Sequence, residues 1–98
     1  MNKYLFKLYI TGESPSSSRT IANLRKICDD EMSSEYELTI IDVTAQPQLA
    51  EEGKILVTPT LIKEFPLPVR RIIGDLSDKE KVLRGLELAE NRIKKGGA

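Results

Sequence analysis

The spacing of apolar residues along the chain switches repeatedly between the two-residue rhythm of strands and the three-to-four-residue rhythm of helices. It opens on YLFKLYI (residues 4–10), rich in aromatic and β-branched residues and apolar on nearly both faces, which predicts a central strand covered on each side. TGESPSSS (11–18) follows as a turn, with Ser16 to Ser18 offering hydroxyls to cap a helix that starts at about Ser17 and runs to Met32. Within it Ile21, Leu24, Cys28 and Met32 form an apolar stripe, while Arg19, Asn23, Arg25 and Lys26 lie mostly off it. Cys28 is therefore expected to point inward. ELTIIDV (37–43) predicts a second strand, and a strand, helix and strand in that order imply a right-handed parallel crossover.

AQPQLAEEGKI (45–55) carries Pro47 where the first turn of a short helix would be, a position at which the missing amide hydrogen costs nothing, and Gly53 near its end. TLIKEF (60–65) and VRRIIGD (69–75) predict two strands, and the PLP between them is brief enough to demand antiparallel pairing. The last segment, LSDKEKVLRGLELAENRIKKG, reads as a helix opened by a Ser77–Glu80 capping box, with Val82, Leu86, Ala89 and Ile93 on one face. The resulting order, β-α-β-α-β-β-α, is that of an α/β, thioredoxin-like fold in one domain spanning residues 1–98.

Composition narrows the function classes. A chain of 98 residues has room for one core. Hydrophobic residues at 40% and charged residues at 31% suit a soluble globular domain. Fifteen Lys and Arg balance fifteen Asp and Glu, so no overall field favours nucleic acid or an anionic membrane. One cysteine excludes an intrachain disulfide, and the lack of histidine removes the commonest metal ligand and general base. A reducing, cytoplasmic setting is expected. The apolar run in MNKYLFKLYI is too short and broken by Lys7 for a signal peptide, and no stretch approaches the length of a membrane span.

The stretch LVTPTLIKEF (56–65) raises a chemical question. A Thr-Pro-Thr turn feeding a strand is how thioredoxin-like proteins present a proline opposite a reactive dithiol, here Pro59 opposite TGESPSSS. That segment has no sulfur. Cys28 lies about three turns along the helix on the apolar stripe, where burial should raise its pKa and give it a packing role. A serine nucleophile would need a base, and the spacing nominates none. Asp29, Asp30 and Glu31, at consecutive helical positions, point in three directions, which suits a solvated helix end better than a metal site. IIGD with LSDKE has one glycine and acidic residues where a phosphate loop needs amides and cations. No catalytic residue, cofactor or metal is expected, and a binding module is the stronger reading. A redox or chaperone protein in stress response, acting through Cys28, is the alternative.

From residue 41 onward the string IDVTAQPQLAEEGKILVTPTLIKEFPLPVRRIIGDLSDKEKVLRGLEL closely resembles the KaiB family of circadian-clock proteins, and YLFKLYITGESPSSSRTIANL looks like the opening strand, Gly-x-x-Pro turn and first helix of that family. The resemblance implies a protein without catalytic activity that binds the N-terminal ATPase ring of a hexameric KaiC, competes with the sensor kinase SasA and recruits KaiA. It also implies two packings of one chain. The partner-binding monomer has the thioredoxin-like order, and the free protein self-associates as dimer or tetramer in the order β-α-β-β-α-α-β. Family positions tied to partner interaction fall on Arg19, Lys63 and Arg71, and those tied to the fold switch on Gly85 and Glu87. Pro59, Pro66 and Pro68, whose cis and trans forms differ by only about 0.5–1 kcal/mol in an unfolded chain, are candidate slow switches, while Gly85 weakens a helix interior and LEL (86–88) alternates as an edge strand would. At the C-terminus ENRIKKGGA replaces the acidic tail of the cyanobacterial members. This points to a divergent, non-cyanobacterial homologue with a role in stress adaptation.

Overall fold

The computed structural model describes residues 3–32 and 35–87. Strand β1 (Tyr4–Ile10) runs parallel to β2 (Tyr36–Asp42) and antiparallel to β3 (Thr60–Phe65), which pairs antiparallel with β4 (Arg70–Ile73), giving the strand order β2-β1-β3-β4. Helix α1 (Pro15–Met32) connects β1 to β2, α2 (Pro47–Glu52) connects β2 to β3, and α3 (Lys79–Gly85) follows β4. The order is the predicted thioredoxin-like one. Thr58–Pro59, Phe65–Pro66 and Leu67–Pro68 are all cis peptide bonds.

The period of two in β1 divides the molecule. Phe6, Leu8 and Ile10 face one way and pack with Leu24, Ile27 and Cys28 of α1, Leu61 of β3, and Val82, Leu83 and Leu86 from α3 and its cap. Each fully buried leucine in this layer contributes on the order of 1.5–3 kcal/mol of transfer free energy. Tyr9 faces the other way with Ile41 and Ile62, and among the described residues Val43, Leu49 and Ile55 pack over them. β1 is central as expected, but among the described residues its second side is covered in part only.

Several local expectations need correction. Helix α1 begins at Pro15, and its cap is Ser14, whose Oγ accepts from the Ser17 amide at 3.1 Å. Proline at the first helical position fits this start, since its absent amide hydrogen had no partner to lose. The buried stripe of α1 includes Thr20 and Ile27, with Ile21 only partly buried, so the face turns toward the sheet at a slightly different angle from the one the spacing suggested. The side chain of Met32 lies outside the described residues. In α3 the cap is Asp78 rather than Ser77: Asp78 accepts from the Lys81 amide at 3.2 Å, while the Ser77 amide donates to Asp75 Oδ1 at 3.1 Å. Asp78 wins because a carboxylate at this position also meets the positive end of the helix dipole. Strand β4 stops at Ile73, where Gly74 turns to φ +131°. Ala89 and Ile93 fall outside the described residues, as does Leu88, while Leu86 and Glu87 form the cap of α3 rather than strand.

Candidate functional site

In the thioredoxin-like arrangement the reactive position lies where the first helix begins, beside the proline that precedes β3. Here Thr11, Ser14, Ser16, Ser17 and Thr20 meet Thr58 and Pro59 around a cavity of about 100 Å³. Four of these hydroxyls pair with one another and a fifth bonds to the backbone. Thr11 Oγ1 and Thr58 Oγ1 lie 2.5 Å apart, Ser14 Oγ donates to Ser17 Oγ at 3.2 Å, and Thr20 Oγ1 donates to the Ser16 carbonyl at 3.0 Å. Asp42 holds the adjoining turn, its Oδ1 accepting from the Thr44 hydroxyl at 2.7 Å and from the amides of Gly12 and Thr44 at 2.9 Å each. These bonds, led by the Thr44 hydroxyl, hold the Asp42 pKa below its ordinary value. Among the described residues no thiol lines this cavity, and the Asp42 carboxylate beside it is bonded to Gly12 and Thr44, so the geometry supports shape and hydrogen bonding.

Cys28 is 0% exposed, inside the main core, and burial pushes its pKa up to about 12, helped by the charge of Asp29. The inward placement read from the spacing is found. The acidic run beyond it serves as a brace: Asp30 and Glu31 pair with Lys79 at the start of α3, at 3.7 and 2.8 Å, and Asp29 accepts from the Tyr36 hydroxyl at 3.2 Å. Among the described residues no cluster of acidic or sulfur ligands could hold a metal ion, and no helix is long and apolar enough to cross a membrane.

The three basic residues singled out by resemblance do not converge. Arg19 is exposed on α1, close enough for its charge to help lower the Asp75 pKa, an effect dominated by hydrogen bonds from Ser77. Lys63 is only 2% exposed. The alternation of β3 places it on the side of Leu61, beneath the helices, opposite Phe6 and Arg70 in register. Burial lowers its pKa, which the charge of Glu87 partly restores and that of Arg70 lowers further. Arg71 projects from the other side of the sheet, where it lines a groove of about 620 Å³ with Tyr9, Ile62, Leu49 and Lys54. The groove lies across the sheet from the helix-covered core.

Gly85 and Glu87 do come together, at the end of α3. A Cβ on Gly85 would stand 2.9 Å from Cδ1 of Ile72, so the glycine lets α3 close onto β4. Glu87 occupies the left-handed position after the helix, at φ +62°, where glycine is usual. Its Oε2 accepts from Arg70 Nε at 2.7 Å and from Nη2 at 2.5 Å. Sequence reasoning missed Arg70. Its partner is seventeen positions away, and only the strand register brings them together.

Comparison with known proteins adds a family and a set of folds. The KaiB domain family matches residues 7–88. The circadian clock oscillator protein KaiB of Prochlorococcus marinus is 60% identical over 85 residues, which span 87% of this chain and 81% of that protein. Among solved structures, the N-terminal domain of SasA from Synechococcus elongatus superposes with a TM-score of 0.73 at 26% identity, covering 89% of this chain and 86% of that one. Mitochondrial thioredoxin 3 from Saccharomyces cerevisiae gives 0.67 at 17% identity, covering 89% and 79%, and shows the shared fold.

Proposed function

The chain belongs to the KaiB family, and from that premise we propose that it is a non-enzymatic regulator that binds a KaiC-like hexameric ATPase and modulates its phosphorylation cycle. The observation that carries the reading is the occupancy of the thioredoxin-type position. Mutually bonded serines and threonines stand there beside Pro59, while the lone thiol is sealed in the core. A fold shared with the N-terminal domain of SasA supports competition for one surface of the ATPase, followed by recruitment of KaiA where the host has it. The working setting is the cytoplasm. Arg19 and Arg71 are the accessible members of the partner-linked trio, while Lys63 is buried.

Self-association of the free protein belongs to the same proposal, through a second packing of the C-terminal half. Gly85 and Glu87 set the balance between the two. An alanine at 85 would gain up to about 1 kcal/mol of helix propensity, less what it costs Ile72 to move its terminal methyl away. The helix-terminated form is thus favoured slightly. Mixing the purified protein with a cognate KaiC-like hexamer and ATP, with long incubation before gel filtration, should yield a complex. Absence of any complex would overturn the reading.

A further inference from the structure

Helix α2 has six residues, none of them fully buried, and through Leu49 it makes a partly buried contact with the Tyr9–Ile41–Ile62 cluster, a slight hold for so short a helix. Its end is nevertheless closely fitted. The Lys54 amide donates to the Glu51 carbonyl at 3.1 Å and the Ile55 amide to the Ala50 carbonyl at 2.9 Å, with Lys54 at φ +55° in the left-handed position of a Schellman motif. Those bonds leave the carbonyls of Gly53 and Lys54 for other donors. Arg71 takes both, its Nη2 donating to Gly53 O at 2.9 Å and its Nη1 to Lys54 O at 3.1 Å. The last turn of α2 has no basic residue, so a neighbouring strand supplies the cation that complements the negative end of the helix. A planar fork can span two adjacent carbonyls in fixed geometry, which a lysine ammonium does not reproduce.

We infer that Arg71 is a positioning residue: it fastens the end of α2 and the segment that follows to β4, and it acts on partner binding through that segment. The segment continues into Leu56, 95% exposed, just ahead of Pro59. A guanidinium already committed to two carbonyls has fewer donors left to recognise a partner, yet its removal would free the backbone that presents this surface. The inference rests on the regulator reading above, with Arg71 assigned an indirect part in it.

Amide hydrogen exchange on the free protein tests the fastening without any partner. In Arg71→Ala the amides of Gly53, Lys54 and Ile55 should exchange about fivefold to tenfold faster, with a smaller change in Arg71→Lys and none at Leu8 or Leu61. Titration against a KaiC-like ATPase should show affinity falling by a similar factor. Adding Lys54→Gly to Arg71→Ala relieves the left-handed backbone and should restore both protection and affinity; Lys54→Gly alone should keep both. Unchanged exchange at 53–55 in Arg71→Ala would overturn the inference. So would a double variant that regains protection but not affinity, since Arg71 would then touch the partner itself. A wild type that forms no complex would sink the regulator reading, and the exchange data would still judge the fastening.

Discussion

Replacing Lys63 with methionine is expected to stabilise the fold by about 1 kcal/mol, contrary to the usual result of truncating a buried side chain. The side chain is 2% exposed, and among the described residues its ammonium makes no hydrogen bond or ion pair. Glu87, the carboxylate whose field favours it, is already bonded to Arg70 through Oε2. The aliphatic stem gains about 0.8 kcal/mol per buried methylene, and methionine keeps nearly all of that. What is removed is a partly desolvated charge. Among the described residues no buried side-chain nitrogen is left without a partner, so the unbonded ammonium tip keeps some contact with water and bears only a fraction of the cost of full burial. The field of Glu87 offsets part, which leaves the net figure above. For a domain of this size that is a rise in Tm of about 4–8 °C.

The pH dependence carries the sign. Burial holds the Lys63 pKa below its ordinary value, so the unfolded chain binds that proton more tightly than the folded one. Wild-type stability attributable to this group therefore rises as pH climbs through the folded pKa toward the unfolded value of about 10.4. Methionine has no such term, so the gap between variant and wild type should be widest near neutrality and narrow toward about pH 10. Tyr36, whose pKa burial raises, is present in both proteins and cancels in the difference. Thermal melts of the two proteins across this range decide the matter. A variant that melts below wild type, or a gap that widens with rising pH, would refute the reasoning.

Glu87→Gln should cost about 0.5–1 kcal/mol at low salt and less at high salt, because it removes a half-exposed ion pair and keeps the left-handed backbone; Glu87→Gly should lie near zero, its relief of about 1 kcal/mol cancelling that loss. Urea midpoints measured at two salt concentrations test both. With its pKa raised to about 12, the Cys28 thiol should be about one part in 10⁴ thiolate at about pH 8, against about a quarter for a free thiol. Native protein should thus react with a disulfide reagent only as fast as it unfolds, and rapid labelling would contradict the sealed placement. Asp78→Ala should lower stability by about 1 kcal/mol through loss of the α3 cap, read from the same denaturation curves.

The strands and their order were legible because the two-residue rhythm is strong in YLFKLYI and TLIKEF, and short connections leave few ways to join them. Helix starts were less so. Four serines crowd the first one, and the decisive signal was Pro15, which fixes Ser14 as the cap. The burial of Lys63 is implied by its position two residues after Leu61 on one strand, though a lysine by itself suggests solvent. No local pattern could reveal that Arg71 reaches the carbonyls of residues 53 and 54, or that Arg70 reaches Glu87. Both depend on which strands lie side by side, a property of the assembled sheet.

The unequal cover on the two sides of the sheet has an evolutionary consequence. Architecture is guarded on the helix-packed side, where nearly every change disturbs a close-packed neighbour. Across the sheet, residues such as Lys7, Thr39 and Glu64 line an open trough, and exchanging them should alter stability by no more than about 0.5 kcal/mol. Relatives can therefore diversify the chemistry of that trough while inheriting the same scaffold.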